Sequence, residues 1–204
     1  MPRKNFIFLS LLVMLISCEE KRTAVAVTLD NKKSVLDSSF QQITKRTMTQ
    51  MQPVKLSGNN DRDFASLLLK HHKGAIALSE FETKQGNDVN LKKFAEKEIK
   101  ILREEIERMN SFLNYEPKDK SNRAAEFKQA VFAAMRTVPD SIWVEKNIDR
   151  LYAILIREFS QNSIQISEAE ISFGYHQTMK ILARKIVSKQ KEKVEWLNTW
   201  LMKH

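Results

Sequence analysis

Two adjacent histidines, His71 and His72, are the residues best suited to hold a ligand. Imidazole nitrogen suits zinc, copper and related metals. Neighbouring residues on an α-helix point about 100° apart, because a turn takes 3.6 residues. The pair cannot easily pinch one ion, so each ring needs a further donor one turn away. Soft thioether donors exist in Met48 and Met51, spaced i, i+3, and in Met109. Each of these residues also has a plainer reading. His71 falls on an apolar stripe, where it could be a hydrogen-bonded core histidine, and His72 is similar. Met48 and Met51 could cap a bundle as an apolar patch. Met109 lies on a core stripe, where methionine is more often packing than ligand. His176, near a predicted turn, and His204 read as surface residues.

Other chemistries find no support. A di-iron carboxylate centre needs a Glu-x-x-His motif on each of two helices, and the chain contains none. No Gly-rich phosphate loop or nucleophilic triad is present. No catalysed reaction is expected. The formal net charge is +9, which can signal nucleic acid, anionic membrane or acidic partners. Here Lys and Arg are spread among Glu along helical faces, as in Lys92-Lys93 and Glu104-Glu105, and read as solvated surface. No aromatic-plus-basic platform for nucleic acid is visible.

Met1 to Cys18 reads as a targeting segment. Arg3 and Lys4 precede an apolar run from Phe6 to Ile16, too short for the roughly twenty residues that span a bilayer. The run ends in Leu15-Ile16-Ser17-Cys18, which resembles a bacterial lipobox. The resemblance implies cleavage before Cys18 and its lipidation. Cys18 is the only cysteine, so no intramolecular disulfide is possible. Residues 19–33 then form a polar tether to the membrane.

The scaffold is helical. Gly and Pro number four each among 204 residues, 42% of which are hydrophobic. That balance favours long helices over many turns. Laying 61–113 on 149–201 needs no gap. Asp61-Arg62 meets Asp149-Arg150, Ser79-Glu80 meets Ser167-Glu168, Glu82 meets Glu170, and Gly86 meets Gly174. Phe112-Leu113 meets Trp200-Leu201. Each copy reads as a helical hairpin, with a glycine stopping its first helix. The second helix of the first copy carries a stripe of Leu91, Ala95, Ile99, Leu102, Ile106, Met109 and Leu113. One amphipathic hairpin cannot bury its own face, whereas two can, as a four-helix bundle. The expected organisation is a first repeat over 34–114, whose hairpin spans 61–114, and a crossover over 115–147 with a short helix near 122–135. A second, degenerate hairpin follows at 148–204. A short helix is also expected at 34–47.

Asp61-Arg-Asp-Phe64, then Leu67 through His71-His72-Lys-Gly74-Ala75-Ile76-Ala-Leu78, resembles the signature of the family called domain of unknown function 305. Phe94-Ala95, Glu105-Ile106, Met109 and Phe112-Leu113 continue it, and Met48-Thr-Gln-Met51 matches a Met-rich stretch ahead of the Asp. The family tends to have methionine at the positions held here by Leu68 and Leu78. The resemblance implies an all-α, ferritin-like four-helix bundle that is exported and binds copper through Met and His. The reading is therefore an envelope lipoprotein sequestering or transferring a metal, copper foremost. His71, His72, Met48, Met51 and Met109 are its candidate ligands, and Cys18 is its anchor. The alternative is a metal-free bundle that binds another envelope protein, or that oligomerises through aromatics such as Trp143, Trp196 and Trp200.

Overall fold

Each hairpin begins on an asparagine. In the computed structural model, which describes residues 40–51, 56–115, 121–135 and 138–204, the Asn59 side chain accepts a hydrogen bond from the Arg62 N–H. Asn147 accepts from the N–H groups of Asp149 and Arg150. These caps satisfy donors that the first turn of a helix leaves unpaired. They start α2 (Asn60–Gln85) and α5 (Ile148–Phe173). The return helices are α3 (Val89–Tyr115) and α6 (Gln177–Lys203). Helix α1 (40–51) precedes the first hairpin. Helix α4 (Ala124–Ala134) and a 3-10 turn (Asp140–Val144) lie between the hairpins. Among the described residues every regular element is helical, and the chain forms a helical bundle from two hairpins. The leader, Cys18 and the tether lie outside the described residues.

The repeated Asp-Arg pair works the same way in both copies. The Arg62 guanidinium donates to the Leu113 carbonyl at the far end of α3. Arg150 likewise donates to the Leu201 carbonyl near the end of α6. A cation at a helix C-terminus also meets the negative end of the helix dipole. The aspartates instead reach across to the other hairpin. Asp61 accepts the N–H groups of Tyr175 and His176 in the second hairpin's turn. Asp149 accepts those of Asn87 and Asp88 in the first. Arginine thus closes its own hairpin, and aspartate joins the two.

Gly86 and Gly174 end their helices without the left-handed backbone usual at such stops. Their φ values are −64° and −66°, with ψ near extended. Their lack of a side chain matters for space. A Cβ at Gly86 would strike the Glu82 carboxyl, and one at Gly174 would strike that of Glu170. Each glutamate curls beneath its glycine into a fully buried position. Gly74 acts similarly toward α1, whose Thr47 side chain sits where a Cβ would be.

Glu82 lies against Asp149, and Glu170 against Asp61. Burial first, then the neighbouring carboxylate, raises Glu82 to a pKa of about 9 and Glu170 to about 10. Burial alone would also raise Asp149. The N–H groups of Asp88 and Asn87, with the neighbouring Glu82 carboxyl, hold it below its usual value. Both glutamates are therefore protonated near neutral pH, each beside the aspartate of the other copy.

In the unfolded chain these glutamates ionise near 4.5. Because their folded values are higher, the stability they contribute is complete below about pH 4.5. It declines as pH rises toward 9–10, at up to about 1.4 kcal/mol per pH unit per group. Glutamine keeps the hydrogen-bond donor and loses the charge. The double variant Glu82→Gln/Glu170→Gln is expected to melt at least as high as wild type at pH 9. Its melting temperature should also vary less between pH 6 and pH 9. Parallel slopes for the two proteins in thermal melts followed by circular dichroism would exclude proton sharing at these pairs.

Candidate metal site in the bundle core

The buried residues of α3 are Leu91, Ala95, Glu98, Leu102, Glu105 and Met109. They alternate steps of four and three, the seam that helices present to one another in bundles. Two seam positions are glutamates. The expected stripe placed Ile99 and Ile106 on the core side, and both are only half-buried. The pair Glu104-Glu105 was expected to be solvated. Glu104 is exposed, but Glu105 is buried. The seam passes through Glu105 because Leu102 and Met109 flank it at three and four residues.

Glu105 faces His72. The His72 Nε2 lies 2.9 Å from Glu105 Oε2, and the Lys189 ammonium lies 3.7 Å from Oε1. Burial would raise the Glu105 pKa, but the hydrogen bond and charge of His72, with Lys189 and Lys193, bring it below the usual value. An ionised carboxylate only accepts hydrogen bonds. His72 Nε2 is therefore the donor. No hydrogen-bond partner reaches the buried His72 Nδ1.

His71 is buried one position earlier. Its ring lies 4.9 Å from that of Phe159 and 5.9 Å from that of His72. Neither nitrogen makes a hydrogen bond of ordinary geometry. Burial, then the charges of His72 and Lys193, lower its pKa well below 6.5, against a weaker opposing pull from the Phe159 carbonyl. The ring is neutral. The expected hydrogen-bonded core histidine is therefore His72, and His71 is buried without that partner.

All four long helices contribute to this layer. His71, His72, Glu98, Phe159, Ser160 and Lys193 are among the residues lining an internal cavity of about 10 Å³, room for one water-sized occupant. Lys193 pairs with Glu98. The repeat shows how the layer arose: Lys193 occupies in the second copy the place of Glu105 in the first, and Phe159-Ser160 the place of His71-His72. The copies meet as complements, with acids and imidazoles on one side and an ammonium on the other.

The layer divides the apolar core. One cluster holds Phe40, Leu78, Leu91, Tyr152 and Leu197. The other holds Phe64, Leu68, Phe127, Ile166 and Met179. Met51 and Met109 are buried in the second cluster, and half-buried Met48 packs on the first. None of the three lines the cavity that His71 and His72 share. Leu68 and Leu78 are fully buried. His176 and His204 are exposed. The aromatics expected at the surface differ among themselves: Trp196 is exposed, Trp143 half-buried and Trp200 buried. Among the described residues no three His, Cys, Asp or Glu side chains are grouped so as to hold a metal ion. No helix among them is long and apolar enough to cross a membrane.

Residues 17–113 match the family model described as Domain of unknown function (DUF305). No curated protein matches the chain at a significant level. A DUF305 protein of Streptomyces coelicolor, described as secreted, superposes with a TM-score of 0.59 at 16% identity, over 72% of this chain and 95% of its own. A DUF305 fragment from Deinococcus radiodurans gives 0.52 at 18% identity, over 71% and 97%. CopM in a silver-bound form obtained by soaking gives 0.54 at 20% identity, over 70% and 95%. At such identities these structures share the fold. The chain therefore carries a DUF305 match over residues 17–113 and shares the fold of solved DUF305 proteins.

Proposed function

We propose that this protein is an exported, lipid-anchored helical bundle that binds and sequesters a metal ion, copper foremost, in the cell envelope. The observation that carries this reading is the set of three imidazole nitrogens without hydrogen-bond partners, Nδ1 and Nε2 of His71 and Nδ1 of His72. Both rings line the same small cavity. Burying such atoms unpaired costs about 1–3 kcal/mol each, so the fold does not gain from them. The His72–Glu105 contact adds a second support. Histidines that bind metals commonly donate their other ring N–H to a carboxylate, which fixes the tautomer and orients the ring. The silver-bound neighbour adds a third, since silver and cuprous ions are both soft and prefer nitrogen and sulfur over oxygen. His71 and His72 would hold the ion, and Glu105 would orient His72. Export and lipidation rest on the leader ending at Cys18, with the secreted neighbour in support.

A metal-free interaction module is the second reading. The pairing of Lys193 with Glu98 favours it, because an ammonium beside the cavity already balances one carboxylate and repels a cation.

The readings separate on titration. The form lacking residues 1–18 is expected to bind one equivalent of cuprous ion more tightly than cupric or zinc ion. The His71→Ala/His72→Ala variant should lose that equivalent. Equal weak binding by both proteins would leave the metal-free module.

The neutral state of His71 has its own consequence. Its folded pKa lies below the unfolded value of about 6.5, so its contribution is complete above that pH and is lost as pH falls below it. Phenylalanine already stands at the equivalent position of the second copy. His71→Phe is expected to narrow the gap in melting temperature between pH 7 and pH 5. An unchanged gap would show that His71 is not buried as the neutral ring.

A further inference from the structure

Helices α3 and α6 run antiparallel on the outside of the α2–α5 pair and meet through side chains without close backbone approach. Phe94 lies flat on Trp196, with ring centroids 4.4 Å apart and planes within 4°. Further along, Glu98 pairs with Lys193. Beside these bridges, toward the start of α3 and the end of α6, runs a groove of about 920 Å³. That volume lies within the range of small-molecule sites. Its lining on α3 extends from Asn90 to Ile101, a span of about 16 Å at 1.5 Å per residue.

The groove combines apolar walls with a cationic rim. Phe94, Ile101, Trp196 and Trp200 provide the walls. Five lysines and two glutamates line it, and two of the lysines are paired, Lys193 with Glu98 and Lys189 with Glu105. Lys93, Lys97 and Lys203 are exposed and make no ion pair among the described residues. Trp200 lines the groove and is only 6% exposed.

We propose that this groove binds a single-chain amphiphile with a carboxylate head, a ligand of the fatty-acid type. Its chain lies along Phe94, Ile101 and Trp196, and its carboxylate lies among the exposed lysines. A peptide fits less well. It would bring a backbone donor and acceptor at nearly every residue against the apolar walls of Phe94, Ile101 and Trp196. A membrane surface also fits less well, because Trp200 is buried and Phe94 stacks its face on Trp196.

Two of the three tryptophans line the groove, so intrinsic fluorescence reports on it. The full chain carrying Cys18→Ser, which removes the lipid acceptor, is titrated with laurate. The comparisons are dodecyltrimethylammonium, phosphatidylglycerol vesicles and poly-glutamate. The expected result is a saturable response to laurate, none to the cationic amphiphile, and at least tenfold weaker laurate binding by Lys93→Gln/Lys97→Gln/Lys203→Gln. These lysines are exposed, so the variant should keep its helicity, which circular dichroism verifies. The proposal is overturned by equal responses to both amphiphiles, by undiminished laurate binding in the variant, or by a response confined to vesicles or poly-glutamate. It stands or falls separately from metal binding, because the variant leaves His71 and His72 intact.

Discussion

Two buried aspartates hold the hairpins to one another, and much of the structure is arranged around their charge. Asp61 and Asp149 each accept two backbone N–H groups from the turn of the opposite copy. Turn amides at a helix start are poor places to lack a partner, since the first N–H groups of any helix have none within it. A carboxylate suits them because it accepts several bonds and meets the positive end of the helix dipole. The second acid at each junction, Glu82 or Glu170, can then remain only in its neutral form. Its curled position in turn requires glycine at 86 and 174. Aspartate, glutamate and glycine thus form one unit at each junction, and the repeat preserves all three.

The middle of the bundle follows a different logic. Hydrophobic replacement of a buried ion pair is often neutral or stabilising, whereas removing one partner costs about 3–5 kcal/mol. A layer with His72–Glu105, Glu98–Lys193 and an unpaired His71 is therefore poorly explained by stability alone. It interrupts two apolar clusters that would otherwise meet. Registry offers a partial account, since polar residues in a seam can fix which helices face each other. Pairing acids from one copy with an ammonium from the other would disfavour the union of two identical hairpins. Registry does not account for His71, which pairs with nothing, and this is why the ligand reading centres on it.

The fold was legible because it rests on periodicity and repetition. Asp-Arg starts, glycine stops and apolar stripes are local signals, and the four long helices lie close to their expected places. The role of glycine was not legible. The sequence pointed to a helix stop, and only the coordinates show that the space is taken by a glutamate four residues back. The two histidines stood out by type, and the structure brings them together. The methionines share that chemistry by type alone, since nothing in the spacing of Met48, Met51 or Met109 fixes a distance to a residue on another helix. Glu98 and Glu105 were passed over because charge suggests solvent. The available clue was the alternation of three and four through Leu91, Leu102 and Met109, which includes both.

The layer and the groove are not independent. Glu98, Gln190 and Lys193 line both the small cavity beside the histidines and the wide groove between α3 and α6. One way from the groove to the small cavity therefore passes the Glu98–Lys193 pair. A cation entering there must first compete with the Lys193 ammonium for Glu98, while an anion held in the groove would draw that ammonium outward. Negative charge in the groove and positive charge in the cavity would then favour one another, because both are opposed by the same ion pair. Lys193 stands where the first copy has Glu105, so the coupling arises from the inequality of the copies. Two identical hairpins would place like charges across the bundle at this level, and neither the ion pair nor the coupling would exist.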